Sequence, residues 1–135
     1  MEFAALGAWL LAAVAGTYLM ATWITAGGLL GQATKVTRYP VLVLVGHPLA
    51  AVAGLLVWVA YLATGQAVYA WGAFAALLVV MLQGFVLFTR WLVGRGGRHA
   101  RDAGQEFPAK AVILHGAVAA ATFVLVLLTA VRAGG

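Results

Sequence analysis

Four apolar runs, Phe3–Thr25, Tyr39–Ala63, Tyr69–Val93 and Phe107–Val131, occupy most of the 135 residues and leave only short polar stretches between them. Each run reaches the about 20 residues that a helix needs to cross roughly 30 Å of hydrocarbon. In that solvent every backbone N–H and C=O must be satisfied by protein, which favours continuous helices. A β-barrel fits poorly, because the runs do not alternate polar and apolar positions. Composition agrees with this reading: 8% of residues are charged, against about 25% in a soluble domain. The expectation is one all-α domain over residues 1–135, an integral membrane four-helix up-down bundle. The first run lacks a basic lead-in and reads as a retained helix rather than a cleaved signal. Cysteine is absent, which excludes disulfides, thiolate metal sites and cysteine nucleophiles.

The basic residues set an expected orientation. Lys35 and Arg38 lie in the first connection; Arg90, Arg95, Arg98, Arg101 and Lys110 lie in or beside the third. The second connection, "TGQAV", is uncharged, and only Arg132 belongs to its side. Seven of the eight basic residues therefore flank one face, which the excess of positive charge on cytoplasmic loops assigns to the cytoplasm. Both termini then face outward, in the inner membrane of a bacterial cell. The basic groups hug the helix ends, so they read as topology and lipid-headgroup determinants, not as a nucleic-acid surface.

A shift of 68 residues superposes the two halves without a gap. Gly16 falls on Gly84, Trp23 on Trp91, Pro40 on Pro108, His47 on His115 and Ala51 on Ala119. Aliphatic matches carry little weight in such a chain, whereas coincident Trp, Pro and His do. The halves read as two tandem two-helix repeats, 1–67 and 68–135, related by an axis along the membrane normal. Pro40 and Pro108 suit the first turn of helices 2 and 4. Seven residues further, at about 1.5 Å each, His47 and His115 lie roughly 10 Å inside the basic face. Trp23 and Trp91, with Tyr39 and Phe107, read as an interfacial aromatic belt. Gly16 and Gly84 lie seven residues from those tryptophans, which puts two histidines and two glycines in one layer.

The histidine-bearing faces continue with small residues: Ala50, Ala51 and Gly54 after His47; Val118, Ala119 and Thr122 after His115. Such faces permit close helix packing or leave room for a flat ligand. Intramembrane ionisable groups are functional candidates, and neutral imidazole is the commonest metal ligand. The acids Glu2, Asp102 and Glu106 lie at or beyond the run boundaries, which disfavours di-iron and hydrolytic zinc chemistry. A b-type haem requires two axial histidines and an apolar slot. His99, among Arg95, Arg98 and Arg101, reads as solvated. Pro48 reads first as a kink, and also as freeing the Leu44 carbonyl, which with that of Val43 is an acceptor within reach of His47. Thr17, Tyr18 and Gln83 are polar groups near the glycine layer.

The layer resembles the four-helix haem core of membrane b-type cytochromes, including the respiratory cytochrome b family. In that family axial histidines sit on helices 2 and 4, while glycines on helices 1 and 3 clear the porphyrin. His47, His115, Gly16 and Gly84 match in kind and order. Each ligand helix here has one intramembrane histidine, so the resemblance implies one haem b per chain rather than two stacked haems. The segment "FPAKAVILHG" is also similar to small four-span bacterial membrane proteins. The site this implies comprises His47 and His115 on iron, Gly16, Gly84, Ala51 and Ala119 around the ring, and Arg38, Arg90 and Lys110 toward the propionates. Two strong nitrogen ligands favour one-electron transfer, with a quinone or a respiratory complex as partner. Three alternatives stay open: a non-redox small membrane subunit, a haem or ion carrier, and a homo-oligomer whose haem is bridged between chains. No nucleophile–base pair or phosphate loop marks a self-sufficient enzyme.

Overall fold

The computed structural model describes residues 1–26, 39–94 and 107–135. They form four α-helices: α1 Glu2–Thr25, α2 Val41–Thr64, α3 Ala67–Gly94 and α4 Ala109–Gly134. Each begins and ends within one turn of an expected run. With 24 to 28 residues, the helices are roughly 36–42 Å long at about 1.5 Å per residue. All four are long and apolar enough to cross a membrane.

The prolines fall one step outside their expected places. Pro40 and Pro108 are the N-caps of α2 and α4, with ψ of 118° and 117°. At that position the missing N–H costs nothing and the carbonyl starts the helix. The Pro40 oxygen accepts from Leu44 N–H at 2.9 Å, and the Pro108 oxygen accepts from Ala111 and Val112. α2 ends at Gly65, whose φ of 68° lies in the left-handed region that glycine tolerates without strain. Only Gln66 separates Gly65 from the start of α3, so α2 and α3 form a tight antiparallel hairpin.

The helices stand at the corners of a square. α2 packs most extensively on α3, and α4 on α1; α3 with α4 and α1 with α2 complete the ring. Among the described residues α2 and α4 share no backbone contact, and neither do α1 and α3. These pairs are the diagonals. Glu2 meets Tyr61 at one end of the bundle, while Trp23, Tyr39 and Trp91 cluster at the other, so successive helices alternate in direction.

Two apolar clusters divide the interior. The one nearer the termini contains Trp9, Trp58, Tyr61, Leu77, Val126 and small alanines. The other closes the loop-side end with Trp23, Tyr39, Leu44 and Trp91, backed by Met20, Leu87, Phe88, Phe107 and Val112. This corrects the aromatic-belt expectation. Trp23 is 3% exposed, and Tyr39 and Trp91 are also buried. Four helix ends converge there, and the rings fill the mouth between them instead of facing outward. Tyr39 and Phe107, next to the two proline caps, meet edge to face with centroids 5.8 Å apart. Burial pushes the Tyr39 phenol up to about 12.

The buried positions recur at the spacing of 68. Ala5 and Ala73, Trp9 and Leu77, Ala12 and Val80, Trp58 and Val126, and Tyr61 and Thr129 are all buried. Gly54 and Thr122 behave likewise. Thr122 and Thr129 stay inside because each hydroxyl donates to a carbonyl one turn back in its own helix. Phe3, Val14, Leu42, Leu56 and Val68, by contrast, project outward with more than half their surface exposed.

Candidate functional site

His47 and His115 meet between the two apolar clusters. They stand on the diagonal helices α2 and α4, yet their ring centroids are 6.2 Å apart with 72° between planes. The side chains therefore span a gap that the backbones do not. Each ring also reaches sideways to a neighbouring helix. His47 Nδ1 lies 3.0 Å from the Val80 carbonyl of α3, and His115 Nδ1 lies 2.9 Å from the Ala12 carbonyl of α1. A carbonyl oxygen only accepts, so Nδ1 carries the proton and donates in both. Each imidazole is thereby held in the tautomer whose Nε2 bears a lone pair, and among the described residues neither Nε2 has a hydrogen-bond partner.

The glycines explain how the rings reach those carbonyls. A helical side chain covers the turn N-terminal to its own Cα. Ala12 is one turn before Gly16, and Val80 one turn before Gly84. A Cβ on Gly16 would stand 3.1 Å from His115 Cε1, and one on Gly84 would stand 3.3 Å from His47 Cε1. The missing side chains uncover the carbonyl oxygens and seat the imidazole edges. Their clearance thus serves the histidine rings directly, whereas the sequence suggested clearance for a ligand.

The other sequence candidates separate by position. Ala51 and Ala119 lie one turn beyond the histidines and are half-buried. Arg90 is half-buried near the end of α3, and Lys110 is exposed in the first turn of α4. Arg38 and His99 lie outside the described residues. Thr17 and Tyr18 are exposed, and the Thr17 hydroxyl donates to Ala13 of its own helix, so neither joins the layer. The carbonyls of Leu44 and Val43 do not orient His47; α3 supplies the acceptor instead, and α2 runs unbroken through Pro48.

Which two carbonyls accept was not legible in the sequence, because backbone groups leave no residue signature. Their one trace is the small residue four places downstream on the facing helix. Gln83 does belong near the layer. Its amide nitrogen lies 3.1 Å from where a Cβ on Gly46 would be, and its Oε1 is buried without a hydrogen-bond partner among the described residues. At the spacing of 68, Gln83 corresponds to Ala15 in the first half and Gly46 to Leu114 in the second, so this polar group has no counterpart across the centre.

The donor set fits a metal held by two imidazoles. Were both Nε2 atoms turned to one ion, two metal–nitrogen bonds of about 2 Å each, with half a ring on either side, would span a distance close to the 6.2 Å between centroids. The protonated Nδ1 bonded to a backbone carbonyl is the outer-shell arrangement that orients metal-bound histidine. Among the described residues no cluster of three or more His, Asp or Glu is present, so the two imidazoles are the pair that could hold a metal or a metal-centred cofactor. Fold and site together define an all-α four-helix bundle with a paired-histidine centre on its diagonal. The chain matches no protein-family model, and no curated protein or solved structure matches it.

Proposed function

We propose that this chain is an integral membrane b-type cytochrome, built from two tandem repeats and holding one haem b between His47 and His115. The observation that carries the reading is the paired imidazole geometry: Nδ1 of each ring bonded to a neighbouring helix, Nε2 without a hydrogen-bond partner among the described residues, and centroids 6.2 Å apart. The recurrence of buried positions at a spacing of 68 supports the duplication. The apolar outward surfaces of all four helices support insertion in a bilayer, with the basic connections on the cytoplasmic side and the termini outside.

Haem supplies one-electron chemistry when bound. The protein's part is to ligate, orient and insulate. The Val80 and Ala12 carbonyls fix the tautomer and the ring planes, and they raise the donor strength of Nε2. The clusters around Trp9 and Trp58 on one side, and Trp23 and Trp91 on the other, exclude water from the layer. With His47 and His115 both holding the haem, the centre would suit electron transfer with a quinone or another respiratory component rather than direct binding of substrate. Arg90 and Lys110, near the loop-side ends of α3 and α4, and Arg38, next to Tyr39 in the sequence, are the basic partners for propionates. Ala51 and Ala119 flank the ring.

The test is the absorption spectrum of detergent-purified protein, oxidised and dithionite-reduced, with haem stoichiometry. The expected result is one haem per chain with a sharp reduced α band, lost in both His47→Ala and His115→Ala. A second reading has its own support. Centroids at 6.2 Å and 72° also fall in the range of direct edge-to-face packing, and the same hydrogen bonds tie α2 to α3 and α4 to α1. On that reading the pair is a helix clamp in a non-redox membrane subunit, and the purified protein carries no Soret band.

A further inference from the structure

Gln83 is polar where the bundle gives it nothing to bond. Among the described residues its Oε1 is the one side-chain acceptor buried without a hydrogen-bond partner, and a buried carbonyl in that state has given up its hydration without return. Filling space does not require an amide there. At the spacing of 68 the first half carries Ala15 in its place, and Leu114 stands where Gly46 lies under the amide. The polar group and the glycine beneath it therefore form a pair without counterpart between α1 and α4, at a position where an apolar side chain would avoid the penalty.

Its neighbours say what the amide acts on. Val80, Gln83 and Gly84 share one face of α3, as residues three and four apart do. Val80 supplies the carbonyl that holds His47 Nδ1 at 3.0 Å, and a Cβ on Gly84 would stand 3.3 Å from His47 Cε1. On the facing helix the Gln83 amide nitrogen lies over Gly46, the residue before His47 in the chain. Gln83 is thus bracketed on both helices by the residues that flank or seat the His47 ring. Beside His115 the corresponding place is Ala15, next to Gly16, and no dipole stands there. In a medium of low dielectric an amide dipole is felt more strongly than in water, and an oxygen with no donor on it keeps its full partial negative charge.

We propose that Gln83 makes the two imidazoles unequal: its uncompensated carbonyl dipole polarises His47 and not His115, and it favours the more positively charged state of whatever His47 ligates. The first part concerns the protein's own side chains. The second rests on the haem reading above. There it gives Gln83 the role of lowering the reduction potential, since the oxidised centre carries one more positive charge than the reduced one. Gln83 is then a positioning residue, acting on the centre through His47.

The experiment compares full-length wild type with Gln83→Leu, which keeps a similar volume and removes the dipole. Leu87→Met, an apolar exchange one turn further along α3 at a partly buried site, is the packing control. In haem-free protein carrying isotopically labelled histidine, the ring N–H signals of the pair are assigned from His47→Ala and His115→Ala. Gln83→Leu should shift the His47 signal and leave that of His115 in place, while Leu87→Met moves neither. The haem-loaded proteins are then titrated potentiometrically in the Soret region. The midpoint of Gln83→Leu should lie above that of wild type, with Leu87→Met at the wild-type value. A merely structural role for the amide would move the melting temperature and not the midpoint. A His47 signal unmoved by Gln83→Leu overturns the proposal. So does a midpoint that stays or falls, or a pair of shifts that Leu87→Met reproduces. A wild type that takes up no haem sinks the cytochrome reading itself, and the ring signals still decide whether Gln83 acts on His47.

Discussion

Replacing Gly16 by alanine tests whether the glycines exist to seat the imidazoles. The added Cβ would lie 3.1 Å from His115 Cε1 and 3.5 Å from Nδ1, so the ring must retreat by a few tenths of an ångström. The retreat draws Nδ1 away from the Ala12 carbonyl, now at 2.9 Å, and past the comfortable N–H···O limit of about 3.2 Å. Overpacking costs about 1–3 kcal/mol, and the weakened hydrogen bond adds roughly 1 kcal/mol. Alanine's higher helix propensity returns about 1 kcal/mol. The net expectation is a loss of about 1–3 kcal/mol. At Gly84 the nearest approach is 3.3 Å and Nδ1 of His47 is 3.9 Å away, so there the gain and the cost nearly cancel. Gly116→Ala, with nothing within 4 Å, serves as the control and should stabilise slightly. Thermal unfolding of the three variants in one detergent, followed by circular dichroism, gives the order. Gly16→Ala should be the least stable and Gly116→Ala the most. If Gly16→Ala melts with or above wild type, the rings do not depend on that space, and the account of how they reach the carbonyls is wrong.

Three further outcomes follow from the geometry. Gln83→Leu removes a buried amide whose oxygen has no partner and replaces it with an apolar group of similar size; unfolding should show stability unchanged or raised by about 1 kcal/mol. Tyr61→Phe deletes the 2.8 Å bond from the Tyr61 hydroxyl to Glu2 Oε1, which joins α2 to the start of α1; a loss of about 1 kcal/mol is expected, with Glu2→Ala giving a similar loss in the same melt. Tyr39 titrates late because burial favours the neutral phenol, raising it from 10.0 to about 12. A proton held more tightly in the folded state means the contribution is intact below pH 10 and disappears as pH rises from there through about 12. Wild type should lose stability across that interval more steeply than Tyr39→Phe, as melting points at successive pH values will report.

The helices were legible because length and continuous apolarity leave a chain like this few alternatives. Their ends shifted by less than a turn, for a local reason: Pro40 and Pro108 cap from outside rather than opening the first turn. The histidine–glycine layer was legible too, through rare residues coinciding at one offset. What the sequence could not reveal was direction. Nothing in "GHP" tells whether His47 bonds back to its own helix or across to α3, since the acceptor is a backbone oxygen exposed by a glycine thirty-seven positions away. The aromatic residues misled for a related reason. Trp23 and Tyr39 have the composition and depth of an interfacial belt, and only the convergence of four helix ends decides that they turn inward.

The two halves of the interior also account for one centre instead of two. Under the proposed duplication, positions match at every depth, and at the histidine layer the matched residues, His47 and His115, are ligand-capable on both diagonal helices. One turn and more toward the termini the matched pairs are Gly54 with Thr122 and Trp58 with Val126, all buried. At each of these positions one half carries a larger residue than the other, and Trp9 lies against Gly54. The matched positions differ in size, and Trp9 and Trp58 fill this half of the interior. Under the proposed function, electrons therefore enter and leave from the same half of the bundle, nearer the loop-side end. A redox partner that engages this protein must approach that half, and Ala or Trp substitutions on its outward surface should alter the rate of haem reduction by a quinol more than equivalent changes near the termini.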